Sequence, residues 1–173
     1  MFSLNDKVVY PGYGVALICK VFSREVAGSS VMFYELKFQN KDMTVMVPKD
    51  RIEEVGIRPL SSTCHIDDML KTITQPAKQI KTETAGSNWN KRNKEYQSKI
   101  STGSLKDISE IYRDLKFISR VKELSFGEKT LLLKAELLLA EEISAAQQVD
   151  EDNAIQKLRS LFPASEALLH TQI

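Results

Sequence analysis

The sequence predicts an α+β chain, with a small antiparallel β-barrel in roughly the first 60 residues and a bundle of about five helices after it. Three observations carry this. Up to about Pro59, apolar residues recur at every second position in short runs rich in β-branched and aromatic types, separated by Gly, Pro, Asn and Asp. Beyond Pro59 the period lengthens to that of helices. With 173 residues, 42% hydrophobic and 27% charged, the chain can bury one core or two small ones without a disulfide or metal staple. The expected organisation is a β domain over 1–60, a helical domain over 61–163 and a weakly ordered tail over 164–173.

Five strands are expected, over about 7–10, 15–22, 31–38, 43–47 and 52–57. Their connections, Pro11-Gly12-Tyr13-Gly14, Ala27-Gly28-Ser29-Ser30, Asn40-Lys41-Asp42 and Lys49-Asp50-Arg51, are rich in turn formers. In the third strand Met32, Tyr34, Leu36 and Phe38 alternate with Phe33, Glu35 and Lys37, so the first set faces the core and the second is largely wet. In the fourth, Met43, Val45 and Val47 point inward, while Thr44, Met46 and Pro48 fall on the opposite face. Pro48 lacks a ladder donor and fits the end of an edge strand. Met46 beside that edge either offers an adaptable docking surface to a partner protein or covers the flank of its own domain.

The first helix is expected over 63–74, followed by a polar connector over 75–87 and a second helix from near Asn88 to about Ser101. Thr102-Gly103-Ser104 breaks the chain. Ser104 with Asp107 then caps a third helix, whose Leu105, Ile108, Ile111, Tyr112, Leu115 and Ile118 form one apolar stripe. Ser125-Phe126-Gly127-Glu128 reads as a capping box. The helix behind it has a stripe wide enough to form the centre of the bundle, with Leu131, Leu132, Ala135, Leu138, Leu139 and Ile143. Asp150 opens a fifth helix, with Ile155, Leu158, Leu161 and Phe162 on one side and Pro163 ending it.

Catalytic signals are thin. Cys64 and His65 adjoin in sequence, but neighbours on a helix diverge by about 100°, poor geometry for a nucleophile and its base. His65 and His170 make no metal spacing, and no cofactor or metal is expected. Gly12-Tyr13-Gly14 lacks the third glycine and following helix of a dinucleotide loop, and there is no Walker motif. The doublets Glu53-Glu54, Asp67-Asp68 and Glu141-Glu142 are expected to split across two faces as solvated side chains. Cys19 and Cys64 lack zinc or redox spacing and are expected as buried thiols. No signal peptide is evident at Met1-Phe2-Ser3-Leu4-Asn5-Asp6, and the apolar stretch 131–140 is too short to span a bilayer, so a cytoplasmic protein without membrane or small-molecule partners is expected. A binding protein is the stronger class than an enzyme.

The only tryptophan, Trp89, lies in the polar and basic stretch Ser87-Asn88-Trp89-Asn90-Lys91-Arg92-Asn93-Lys94. On a helix beginning near Asn88 it shares a stripe with Tyr96 and Ile100, but its nearest neighbours there are Arg92 and Asn93. Two readings stand: the indole closes the helical core, or it is a wedge flanked by phosphate-binding cations. Net charge is only +1, which argues against bulk electrostatic binding to nucleic acid. Between residues 78 and 99, however, six cations (Lys78, Lys81, Lys91, Arg92, Lys94, Lys99) face two carboxylates (Glu83, Glu95), a local excess of +4. A patch of that size suits an auxiliary, salt-sensitive DNA contact.

Several strings resemble the CarD/CdnL regulators that bind bacterial RNA polymerase. They are Val8-Val9-Tyr10-Pro11-Gly12-Tyr13-Gly14-Val15-Ala16, Thr44-Val45-Met46-Val47-Pro48 and Val55-Gly56-Ile57-Arg58 in the first half, a module type shared with a transcription-repair coupling helicase. In the helical half they are Asn88-Trp89-Asn90-Lys91-Arg92, Tyr112-Arg113-Asp114-Leu115 and Leu124-Ser125-Phe126-Gly127-Glu128-Lys129. The resemblance covers residues 1 to about 162. It implies a Tudor-like β-barrel that docks on the RNA polymerase β subunit, and a helical domain that touches promoter DNA at the upstream edge of the transcription bubble within the polymerase–sigma complex. By this resemblance Trp89 is the wedge, with Lys91, Arg92 and Lys94 beside it, and Met46, Pro48 and Arg24 contact the polymerase. It implies a nucleoid-associated bacterial protein that stabilises open promoters without reading sequence. Many relatives have an aromatic where this chain has Asn93, and some have arginine where it has Met46.

Two further readings differ in class. A polymerase-binding adaptor would leave promoter DNA alone, and footprinting separates it from the regulator. A hydrolase built on Cys64 and His65 would lose activity on thiol alkylation.

Overall fold

The computed structural model describes residues 2–75 and 89–162. The first half is a five-stranded antiparallel sheet of order β4-β3-β2-β1-β5, built from β1 (Lys7–Tyr10), β2 (Gly14–Val26), β3 (Ser29–Phe38), β4 (Thr44–Pro48) and β5 (Arg58–Pro59). It surrounds one small core that includes Val8, Ile18, Tyr34, Leu36, Phe38 and Val47. Alternation along β3 and β4 follows from burying one face: Tyr34, Leu36, Phe38 and Val47 are buried, while Lys37, Thr44 and Met46 are exposed.

Two expectations about the strands fail. The β2–β3 hairpin runs past the core, because Ala27 and Gly28 take positive φ (51° and 80°) in a tight turn that keeps pairing intact out to Val26 and Ser29. Met32 lies on that overhang and is 41% exposed instead of core-facing. Residues 52–57 are not a strand. Pro48 ends β4, Lys49–Arg51 make a 3-10 turn, and Ile52–Val55 form a short helix, α1, closed by left-handed Gly56 at φ 81°. Ile52 and Val55 are spaced i, i+3, so one helical turn packs both on the barrel core and leaves Glu53 and Glu54 in solvent. The fifth strand is displaced to Arg58–Pro59, which pairs with Val8 and Val9.

The second half contains α2 (Thr63–Thr74), α3 (Trp89–Ser101), α4 (Leu105–Val121), α5 (Phe126–Gln147) and α6 (Glu151–Ser160), packed on a separate core. Four of their starts are fixed by side chains that accept otherwise orphaned amide protons: Ser62 from His65, Ser104 from Asp107, Ser125 from Glu128 and Asp150 from Asp152. At α5 the Glu128 carboxylate returns the bond to the Ser125 amide at 2.9 Å, completing the capping box. Pro163, most of the connector and the tail fall outside the described residues.

Helix α5 is the centre of the bundle and residues 138–143 of it are all buried, which overturns the expectation that Glu141-Glu142 is a solvated doublet. Both are buried, at 9% and 2% exposure. Their directions differ by one helical step, and each meets a different part of the barrel. Glu141 accepts from the Val15 amide at 3.0 Å and lies 3.6 Å from the Lys41 ammonium. Glu142 accepts from both terminal nitrogens of Arg58 at 2.7 and 2.8 Å, and from the Ser61 amide at 3.2 Å. Arg58 also donates to the Gly103 carbonyl, from Nε at 3.0 Å and Nη2 at 2.8 Å. Close approach of the two halves requires glycine at two of these points. A Cβ on Gly14 (φ +101°) would stand 1.8 Å from Glu141 Oε2, and one on Gly103 (φ +68°) 3.0 Å from Pro11 Cα.

Candidate nucleic-acid interface and docking edge

Trp89 opens α3, the helix that carries most of the described part of the basic segment. Its side chain lies outside the described residues, as do Lys78 and Lys81. Tyr96 and Ile100, which share its expected stripe, are buried in the helical core and fix which face of α3 turns inward. Lys91 and Lys94 are exposed on the other face. Arg92 stands apart from them: its side chain is 17% exposed and its guanidinium lies 3.1 Å from Oε1 of buried Glu128. Lys99 is likewise engaged within the fold, 3.8 Å from Glu95 and 3.9 Å from Glu110. The patch is therefore smaller than the sequence count implies, because a linear tally of charge cannot see carboxylates arriving from α4 and α5.

Glu128 gathers the Arg92 and Lys122 cations and the Ser125 amide around one carboxylate. Burial pushes its pKa up, but the Ser125 amide and Lys122 outweigh it, and the group is held below the usual carboxylate range. It joins α3 to the first turn of α5, which begins at Phe126. Phe126 is 86% exposed. Its place just after an N-cap is the signal that marks it out, because a first-turn residue facing away from the bundle has nothing to bury against.

The docking candidates lie on the barrel. Met46 is 55% exposed on edge strand β4, opposite Glu35 of β3, and Pro48 ends that strand half-buried. Met46 therefore presents apolar surface outward instead of covering its own flank. Arg24 is exposed on the hairpin overhang, paired with Val31.

Neither cysteine is fully buried. Cys64 is exposed, and Cys19 is half-buried at the bulge in β2, where its thiol donates to the Glu35 carbonyl at 3.3 Å. Burial and then the Glu35 carboxylate push the Cys19 thiol up, away from reactivity. His65 Nδ1 is within 3.0 Å of the Ser62 hydroxyl at the start of α2, a capping contact and not a nucleophile's base. Among the described residues, no group of three or more His, Cys, Asp or Glu side chains could hold a metal. No helix among them is long and apolar enough to cross a membrane.

Residues 70–159 match the family described as CarD, C-terminal domain, and residues 2–61 match the CarD-like/TRCF RID domain. The chain belongs to the CarD family. A protein of Bacillus subtilis (strain 168), named as a proposed transcription factor, YdeB, is 27% identical over 151 residues, covering 87% of this chain and 95% of its own. Membership makes this CarD-family chain a transcription regulator and implies an interaction with RNA polymerase. The family string Tyr10-Pro11-Gly12-Tyr13-Gly14 lies at the seam between the halves: Tyr10 and Tyr13 pack edge-on at 5.3 Å, while Pro11 and Gly14 abut Gly103 and Glu141.

Proposed function

We propose that the protein docks on the RNA polymerase β subunit through the β4 edge and stabilises the open promoter complex with Trp89 at the upstream edge of the bubble. The observation that carries this is the arrangement of α3: a tryptophan at its first residue, Lys91 and Lys94 exposed within the next two turns, and the opposite face held in the core by Tyr96 and Ile100. An indole at a splayed minor groove occupies space left by unstacked bases and so favours melted DNA over duplex. Lys91 and Lys94 hold neighbouring phosphates. Arg92 serves the same contact chiefly by bracing the helix start on Glu128. On the barrel, Met46 with Pro48 supplies the apolar dock, and Arg24 a weaker contact from the overhang. No sequence reading is needed, and the protein follows polymerase onto the nucleoid.

Stacking of an aromatic on a base is worth about 1–3 kcal/mol, or about five- to a hundredfold in the ratio of open to closed complex. That is enough for regulation without a chemical step. Tethering through the barrel raises the local concentration of the helical half, which offsets its small patch. The test is the lifetime of the open complex with wild type and with Trp89→Ala. The variant is expected to shorten it at least about fivefold; equal lifetimes reject the wedge.

One observation favours a second reading, a polymerase-bound adaptor without functional DNA contact: Arg92 and Lys99 are engaged inside the fold. Footprinting of the upstream bubble edge separates the two, since the adaptor leaves it unprotected.

A further inference from the structure

A wedge carried on a docked barrel works only if the barrel holds it at the right angle. We propose that Arg58, Glu141 and Glu142 are positioning residues, a clasp that fixes helix α3 relative to the docking barrel so that polymerase binding aims Trp89 at the DNA. This rests on the proposed function above and adds how its two halves are coupled.

Arg58 spends its planar fork on three elements at once. It stands on β5 of the barrel, pairs in bidentate fashion with Glu142 of α5, and donates twice to the Gly103 carbonyl in the turn that ends α3. A buried ion pair is a poor source of net stability, because desolvating both charges offsets most of their attraction; what it supplies is a fixed geometry. Glu141, one residue earlier on α5, takes the Val15 amide where β2 begins and the Lys41 ammonium from the β3–β4 connection. The barrel is thus held on two sides of one helix. Glycines at 14 and 103 let the backbones meet closely enough for these bonds.

Both ends of α3 are tied to the same framework. Its C-terminal end rests near Gly12 and is anchored through Gly103, and its N-terminal turn is braced by Arg92 on Glu128, also a residue of α5. The helix has 13 residues, so its tip lies about 18 Å from the joint, and a rotation of about 10° at the clasp would carry the tip about 3 Å. A displacement of that size removes a stacked ring from its base, since contacts of this kind tolerate about 1 Å.

The experiment uses full-length protein carrying spin labels at Lys37→Cys on the barrel and Ser119→Cys on α4, with Cys19→Ser and Cys64→Ser. Distances between them are compared in wild type, Arg58→Ala, Arg58→Lys and Glu142→Ala, alongside capture by a polymerase β fragment and open-complex lifetime. The proposal expects a narrow distance distribution in wild type that broadens in Arg58→Ala and Glu142→Ala, with capture unchanged and lifetime shortened at least about fivefold. Arg58→Lys, which keeps the charge but not the fork, is expected to fall between. Unfolding of each half followed by circular dichroism guards against simple loss of fold. Gly14→Ala, which drives a methyl group into Glu141 from the barrel side, provides an independent disturbance of the joint and is expected to broaden the distances as well.

Unchanged distances overturn the proposal, as do broadened distances with an unchanged lifetime. Loss of β-fragment capture in Arg58→Ala also overturns it, because the arginine would then belong to the dock. If Trp89→Ala leaves the lifetime unaltered while Arg58→Ala shortens it, the wedge fails but the coupling of the two halves stands.

Discussion

The residue that best explains the helical half is Glu128. Its carboxylate closes the capping box of α5, and pairs with Arg92 of α3 and with Lys122. Glu128→Ala would remove a cap contact and strand two cations, one of them mostly buried, at a cost of about 2–4 kcal/mol in urea unfolding. The pH dependence has a definite sign. Glu128 and Glu136 are both held low despite burial: Glu128 by the Ser125 amide and Lys122, Glu136 by Arg159 and the Tyr112 hydroxyl. A carboxyl lowered in the folded state contributes stability above its unfolded pKa and loses it as pH falls through the folded value. Glu141 has the opposite sign, since burial, the largest influence, holds it high and stability falls as pH rises through its window. Among the described residues the carboxyls held low, Glu35, Glu123, Glu128 and Glu136, outnumber those held high, Asp114 and Glu141, which predicts a net loss of unfolding free energy between about pH 5 and about pH 2, flattened in Glu128→Gln. A flat wild-type profile over that range would refute this account of the carboxylates.

At the scale of elements, starts and stops are set by short local signals. The Ser104 hydroxyl accepts the Asp107 amide at 3.3 Å and begins α4 immediately after the Gly103 break. Ser104→Ala is expected to cost about 1 kcal/mol and to lower the melting temperature by about 2–4 °C, read by thermal unfolding. Signals of this kind were legible in the sequence, which is why helix starts near Thr63, Leu105 and Phe126 could be read from caps and apolar spacing. Residues 52–57 were not legible as a helix, because a single turn with Ile52 and Val55 inward fits a strand pattern nearly as well over so few residues. The overhang of the β2–β3 hairpin was likewise hidden, since strand pairing past the core leaves no apolar alternation to read.

At the scale of the whole molecule, helix α5 is a spine whose buried glutamates reach in four directions: to α3, to α4 and α6, and twice to the barrel. None of these partnerships is visible in sequence, because each joins residues more than twenty positions apart and most join different elements. The candidate site was legible only in part. The Trp89 segment and Met46 on its edge strand stood out, whereas the inward turn of Arg92 depends on its meeting Glu128 of α5. The proposed docking and DNA contacts lie in different halves, so their losses are expected to separate. Met46→Glu is expected to weaken capture by a polymerase β fragment about tenfold or more, as a charge introduced into an apolar contact does, while Trp89→Ala leaves capture unchanged. Equal loss in both variants would place the two contacts on one surface.

Whether the start of α3 touches promoter DNA while the barrel holds the polymerase is decided by a photoactivatable aromatic placed at position 89 in a complete polymerase–sigma promoter complex. Crosslinks are expected to DNA at the upstream edge of the bubble, requiring melted promoter and disappearing with Met46→Glu. Crosslinks confined to protein, or DNA crosslinks that persist on closed duplex without polymerase, would contradict that contact.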